Sequence, residues 1–233
     1  MEKMVMKKLF PGLVALFVSV LVFGTLPARA TELSLPLDTV FSGDTPAGSP
    51  PWLTATFNDG GSAGTVLLTM SATNLTGSEF VDKWYFNLDP TLNSTQLTFT
   101  PVSGTGATVT TGTDFAQADG DGKYDILFDF AEAPPSSRFG EGASSVYSIS
   151  GISTLTADSF DFFSAPGGGE GTFTSAAHIQ AIPLDDLLDE SEGSGWIGSG
   201  EAKEVPEPGI TALLGCGMIG VFFIGRKFSM ANR

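Results

Sequence analysis

Residues Lys123-Tyr124-Asp125-Ile126-Leu127-Phe128-Asp129-Phe130 alternate between apolar and polar side chains with a period of two. Successive side chains of an extended chain point to opposite faces. The octet therefore predicts a half-buried strand, with Tyr124, Ile126, Phe128 and Phe130 on one face and Asp125 and Asp129 on the other. Similar runs at 52–57, 65–72, 83–88, 96–100, 107–111, 146–149, 159–163 and 177–182 predict further strands. Between them lie Asn58-Asp59-Gly60-Gly61, Asp89-Pro90, Asp119-Gly120-Asp121-Gly122 and Pro166-Gly167-Gly168-Gly169, whose residues favour turns. The 29 glycines and 19 phenylalanines fit tight turns around an aromatic core. No stretch between the chain ends repeats at helical spacing. The expected fold class is all-β: an antiparallel β-sandwich over 31–183, with about eight to ten strands in a jelly-roll or immunoglobulin-like connection.

The two ends read differently. Lys3, Lys7 and Lys8 precede an apolar run from Leu9 to Leu26, and Ala28-Arg29-Ala30 then places small residues at both positions that signal peptidase reads. Residues 1–30 are thus expected to be a signal peptide cleaved after Ala30, with Ala28 and Ala30 as the cleavage determinants. At the other end, Ile210 to Gly225 is an uncharged run closed by Arg226-Lys227. An apolar segment stopped by cations reads as a short membrane helix over 210–225, flanking the sandwich as the signal peptide does at the other end. Its length lies at the low edge of the roughly 17–25 residues that cross a bilayer, which suits a transient processing signal better than a permanent anchor.

The tail 205–233, with Val205-Pro206-Glu207-Pro208 ahead of the apolar run and Arg226-Lys227 behind it, resembles the PEP-CTERM sorting domain. The resemblance covers the tail and the overall order of signal, domain and tail. It implies that the chain is an exported substrate of an exosortase-type processing enzyme, held transiently at the inner membrane and then passed to the cell surface or outside, in bacteria that make exopolysaccharide. The trailing Phe228 to Arg233 departs from the tight arginine cluster usual at that family's end.

Charge narrows the partners. The chain has 11 basic and 26 acidic residues. Leaving out the four basic residues and one acidic residue of the leader and the three basic residues after Gly225, Thr31 to Gly225 holds 4 basic and 25 acidic residues, a formal charge of -21. Binding nucleic acid or anionic lipid depends on Lys and Arg displacing counterions, so a nucleic-acid function is excluded. Cys216, the single cysteine, sits in the apolar tail, so the domain has neither a disulfide nor a thiolate metal site and relies on burial for stability.

Residues 184–204 combine an acidic stretch, Asp185 to Glu192, with the Gly/Ser-rich segment Gly193 to Gly200, and are expected to be a flexible tether. Asp119, Asp121 and Asp125 lie in a glycine-rich acidic loop. This is either a solvated hairpin turn or a calcium site, calcium being the only candidate cofactor, and the EF-hand pattern is not met. His178 is the only histidine, on a predicted strand and with no Gly-x-Ser-x-Gly elbow in the sequence, so no catalytic residue is assigned. Trp52, Trp84, Tyr85 and Trp196 are candidates for stacking on sugar rings. Core packing is the expected place of Trp84, and exposure suits Trp52 better. The sequence thus points to a non-catalytic exported surface or matrix protein associated with extracellular polysaccharide. The alternative is a polysaccharide-acting enzyme that uses paired carboxylates.

Overall fold

The structure, a computed structural model, describes residues 30–169, 171–184 and 192–200. Residues 1–29 of the expected leader, Ala28 included, the expected sorting motif Val205 to Pro208, the apolar run 210–225 and Arg226-Lys227 lie outside the described residues. No described helix is long and apolar enough to cross a membrane.

The described chain is all-β, as the alternation predicts. Eleven strands follow one another: β1 (Glu32–Gly43), β2 (Leu53–Asn58), β3 (Thr65–Ala72), β4 (Phe80–Phe86), β5 (Thr98–Gly104), β6 (Ala107–Ala118), β7 (Asp121–Phe130), β8 (Phe139–Gly140), β9 (Ser144–Ser150), β10 (Ser175–Pro183) and β11 (Glu192–Ser199). Every ladder is antiparallel, and the sheet order is β5-β9-β3-β2-β1-β11-β10-β4-β7-β6, with β8 added beside β4. This single sheet curls until it is nearly barrel-shaped.

The curl encloses one aromatic core. Phe57 stacks on Phe160 with centroids 4.3 Å apart and meets Phe86 edge-on at 5.4 Å. Trp84 is fully buried, and its indole N–H donates to Ser175 Oγ at 2.9 Å. Trp52 is buried too: its N–H donates to the Gly48 carbonyl at 2.6 Å, so the exposed platform expected there is absent. Sites this buried contribute roughly 1.5–3 kcal/mol each through lost apolar hydration.

The sheet's two outer edges, on β5 and β6, approach each other without pairing, and side chains join them. Tyr147, buried on β9, reaches Ala107 on β6: its hydroxyl oxygen accepts the Ala107 N–H at 2.8 Å and its O–H donates to the Ala107 carbonyl at 3.4 Å. The β5 edge is blunted by Pro101 and by a bulge between Pro101 and Ser103, both of which interrupt a pairing edge.

Two segments differ from expectation. Residues 159–163 are not a strand: Ala157–Phe160 is a 3-10 turn fixed by a reciprocal cap between Thr156 and Ser159, and Phe160 drops from it into the core. Residues 192–199, expected within the flexible tether, form β11, paired to β1 on one side and β10 on the other. Small side chains there are what the crowding requires. A Cβ on Gly195 would collide with the Asp44 carbonyl, and one on Gly198 would strike the Phe173 ring. Ile197 faces the main core, while Trp196 faces the other way.

Candidate functional site

Opposite the main core, the outer face of β1, β11, β10, β4 and β7 carries a second cluster. Alternation sends Tyr85, Ala176, Leu127, Trp196 and Phe41 outward as their sequence neighbours turn inward. Their rings form a continuous series, with centroid separations of 4.5 Å for Phe173–Phe41, 6.4 Å for Phe41–Trp196, 5.9 Å for Trp196–Tyr85 and 5.4 Å for Tyr85–Tyr124. Tyr124 therefore belongs to this cluster and not, as its spacing predicts, with Ile126, Phe128 and Phe130.

The one histidine sits at the rim of this series. Lys83 pairs with His178 and Val81 with Ile179, so the β4–β10 ladder leaves Asp82 as an extra, unpaired residue. Its carboxylate, 1 % exposed, lies 2.7 Å from His178 Nδ1 and 3.0 Å from Lys83 Nζ. The imidazole also stacks on Trp196 at 4.4 Å. Burial pushes the Asp82 carboxyl up, but the hydrogen bonds and charges of His178 and Lys83 outweigh it and hold the group below its ordinary value. Burial likewise works against the Lys83 ammonium, yet Asp82, with help from Asp129 and Glu132, raises it. Tyr85 is raised by burial first and then by Asp82 and Asp129, so its phenol stays protonated. The result is a histidine fixed by a buried carboxylate and covered on one face by an indole. No sequence-local signal marks this pair, because Asp82 and His178 are 96 residues apart.

The carboxylates of the acidic loop are not brought together. Asp125 spends both oxygens on backbone amides: Oδ1 accepts from Asp114 N at 2.9 Å and Oδ2 from Leu88 N at 3.1 Å. Asp121 is buried, whereas Asp119 is exposed with a positive φ of 47°. Among the described residues no three His, Cys, Asp or Glu side chains form a group that could hold a metal ion. The turn reading fits the bonds of Asp125, whose two carboxylate oxygens both accept from backbone amides.

A cleft of roughly 490 Å3 runs along β1 and includes Asp38, Asp161, Phe163, Thr174 and Ser199 in its lining. Its size falls in the roughly 300–1,000 Å3 of ordinary small-molecule sites. Phe163 is 41 % exposed, so an aromatic face, two carboxylates and hydroxyl groups share one solvent-accessible trough. Sequence reading placed 159–163 on a strand and so did not single out Phe163 or Asp161. Of the four aromatics it did single out, Trp52 and Trp84 are core, Tyr85 is buried in the outer cluster, and Trp196 remains half-buried beside His178. Comparison with protein families, with curated proteins and with solved structures gave no match.

Proposed function

We propose that this chain is a non-catalytic, exported surface or extracellular-matrix protein, sorted and processed through its PEP-CTERM-like tail and associated with exopolysaccharide. In this reading the two halves of the curled sheet act as a β-sandwich, flanked by a signal peptide and a carboxy-terminal hydrophobic helix. Signal peptidase and an exosortase-type enzyme are its processing partners, and the trough beside Phe163 is its glycan-contacting surface.

The observation that carries the reading is the fit between the sheet and the two terminal signals. β1 begins at Glu32, two residues after Ala30, and β11 ends at Ser199, six residues before Val205. The trough adds a chemical reason for glycan contact, since sugars take both an apolar ring face and polar edges.

Mass spectrometry of the exported protein, together with retention on immobilised exopolysaccharide, tests the proposal. Cleavage after Ala30, loss of the tail, and retention weakened by Phe163→Ala without glycan breakdown are the expected results. An uncut chain in the cytoplasm, or hydrolysis of the glycan by the purified protein, overturns it.

A further inference from the structure

Thr31, the first residue expected after leader removal, is held from both sides by Asp59. Its backbone nitrogen donates to Asp59 Oδ1 at 2.9 Å, and its carbonyl accepts the Asp59 N–H at 3.2 Å. The carboxylate is built into the structure: Oδ1 also accepts from Gly61 N at 2.9 Å, Oδ2 accepts from Ala157 N at 3.4 Å, and the residue is only 7 % exposed. The Thr31 N–H, then Gly61, and, against the opposing pull of burial, Ala157 keep this carboxyl below its ordinary value, so it is an anion at neutral pH. Among the described residues no lysine, arginine or histidine forms an ion pair with Asp59. A buried anion is thus held by amide dipoles alone, with the Thr31 nitrogen as one of its donors.

We infer that Asp59 is a receptor for the α-ammonium group that leader removal creates on Thr31. Hydrolysis of the Ala30–Thr31 bond breaks its C–N link. Hydroxide from water ends on the Ala30 carbonyl as a carboxylate, and the Thr31 nitrogen gains the protons that make it an ammonium. The N–H···O contact, already charged on its acceptor side, then carries charge on both partners and becomes an ion pair without movement of either. The strand that starts at the next residue already presents Thr31 to the carboxylate, because Glu32 pairs with Asn58. Ala30 is exposed, so an unprocessed chain meets no steric block there and simply lacks the charge. Correct processing is thereby rewarded in the fold, and a cut one or two residues away is not. The inference rests on the export reading above for the identity of the new end.

The test compares the chain Thr31 to Arg233 bearing a free amino group with the same chain acetylated at Thr31, each with Asp59 and with Asp59→Asn. The free amine is expected to raise the thermal midpoint by about 2–6 °C over the acetylated chain, and the gain is expected to vanish in D59N. Equal midpoints for the free and acetylated chains, or the same gain in D59N, overturn the inference. Titration of the Thr31 amino group in the unsubstituted chain by NMR is independent of whether D59N folds. A midpoint above the ordinary range of about 7.7–8.0 supports the ion pair, and one within that range overturns it. These chains are made with defined ends, so their behaviour is separable from where the cell cuts the exported protein, which mass spectrometry reads.

Discussion

The two faces of the sheet are stabilised by different chemistry. Inside, Phe57, Phe86, Trp84 and Phe128 make a hydrocarbon core whose ring contacts need no charge. Outside, Tyr85, Trp196 and His178 pack around a buried carboxylate that would be costly without its partners. The inner face is tolerant of pH and demanding of shape. The outer face tolerates partial exposure but depends on protonation state. A sheet that buries most of both faces has to solve the second problem with paired groups, since Lys and Asp cannot simply be left there.

Substitutions can break or sharpen this contrast. Phe57→Ala should cost the most, about 3–5 kcal/mol by urea denaturation, with no dependence on pH, because it opens a cavity between Phe160 and Phe86. Gly195→Ala should follow at about 1–3 kcal/mol, since its Cβ meets backbone that cannot swing aside. Asp82→Asn should cost about 1–2 kcal/mol at neutral pH by removing the negative charge that His178 and Lys83 face. Its acid response is more telling than its size. The folded-state carboxyl lies below its unfolded value, so its stabilisation is fully present above the unfolded value near 3.8 and is lost as pH falls through the lower folded value. Denaturation midpoints measured across that acid range should therefore fall less steeply for the Asn variant than for the unsubstituted chain. Trp196→Ala should be mildest, near 1 kcal/mol, because the ring is already half-exposed. A larger loss for Trp196→Ala than for Phe57→Ala would reverse the ranking of the two faces.

Alternation was legible where side chains carry it. The span 65–72 is β3 to the residue, and 123–130 falls within β7. It fails where backbone packing decides. Gly193 to Gly200 has the composition of a linker, yet Gly193 and Gly195 let β11 lie against Asp44, and Gly198 lets it lie against Phe173. β1 also escaped notice: Pro36 sits within its Leu33, Leu35, Leu37 alternation, and two bulges after Leu37 break the pattern of its second half. The trough beside Phe163 and the Asp82–His178 pair were hidden for a different reason. Each is assembled from strands and loops distant in sequence, and no spacing rule connects Asp38 to Asp161 or Asp82 to His178.

β11 has one more property. In the hydrogen-bonded order it alone joins β5-β9-β3-β2-β1 to β10-β4-β7-β6, yet it is the last of the described strands along the chain. Leu37 waits for Ser199 across nearly the whole folded sequence before that junction closes. The two halves also meet through side chains, Tyr147 on Ala107 and Phe57 on Phe86, but β11 is the pin of their backbone hydrogen bonding, set just ahead of residue 201. Any trimming that reaches inward past Gly200 pulls out that pin, which makes the last strand a built-in limit on how much of the carboxy end can be removed.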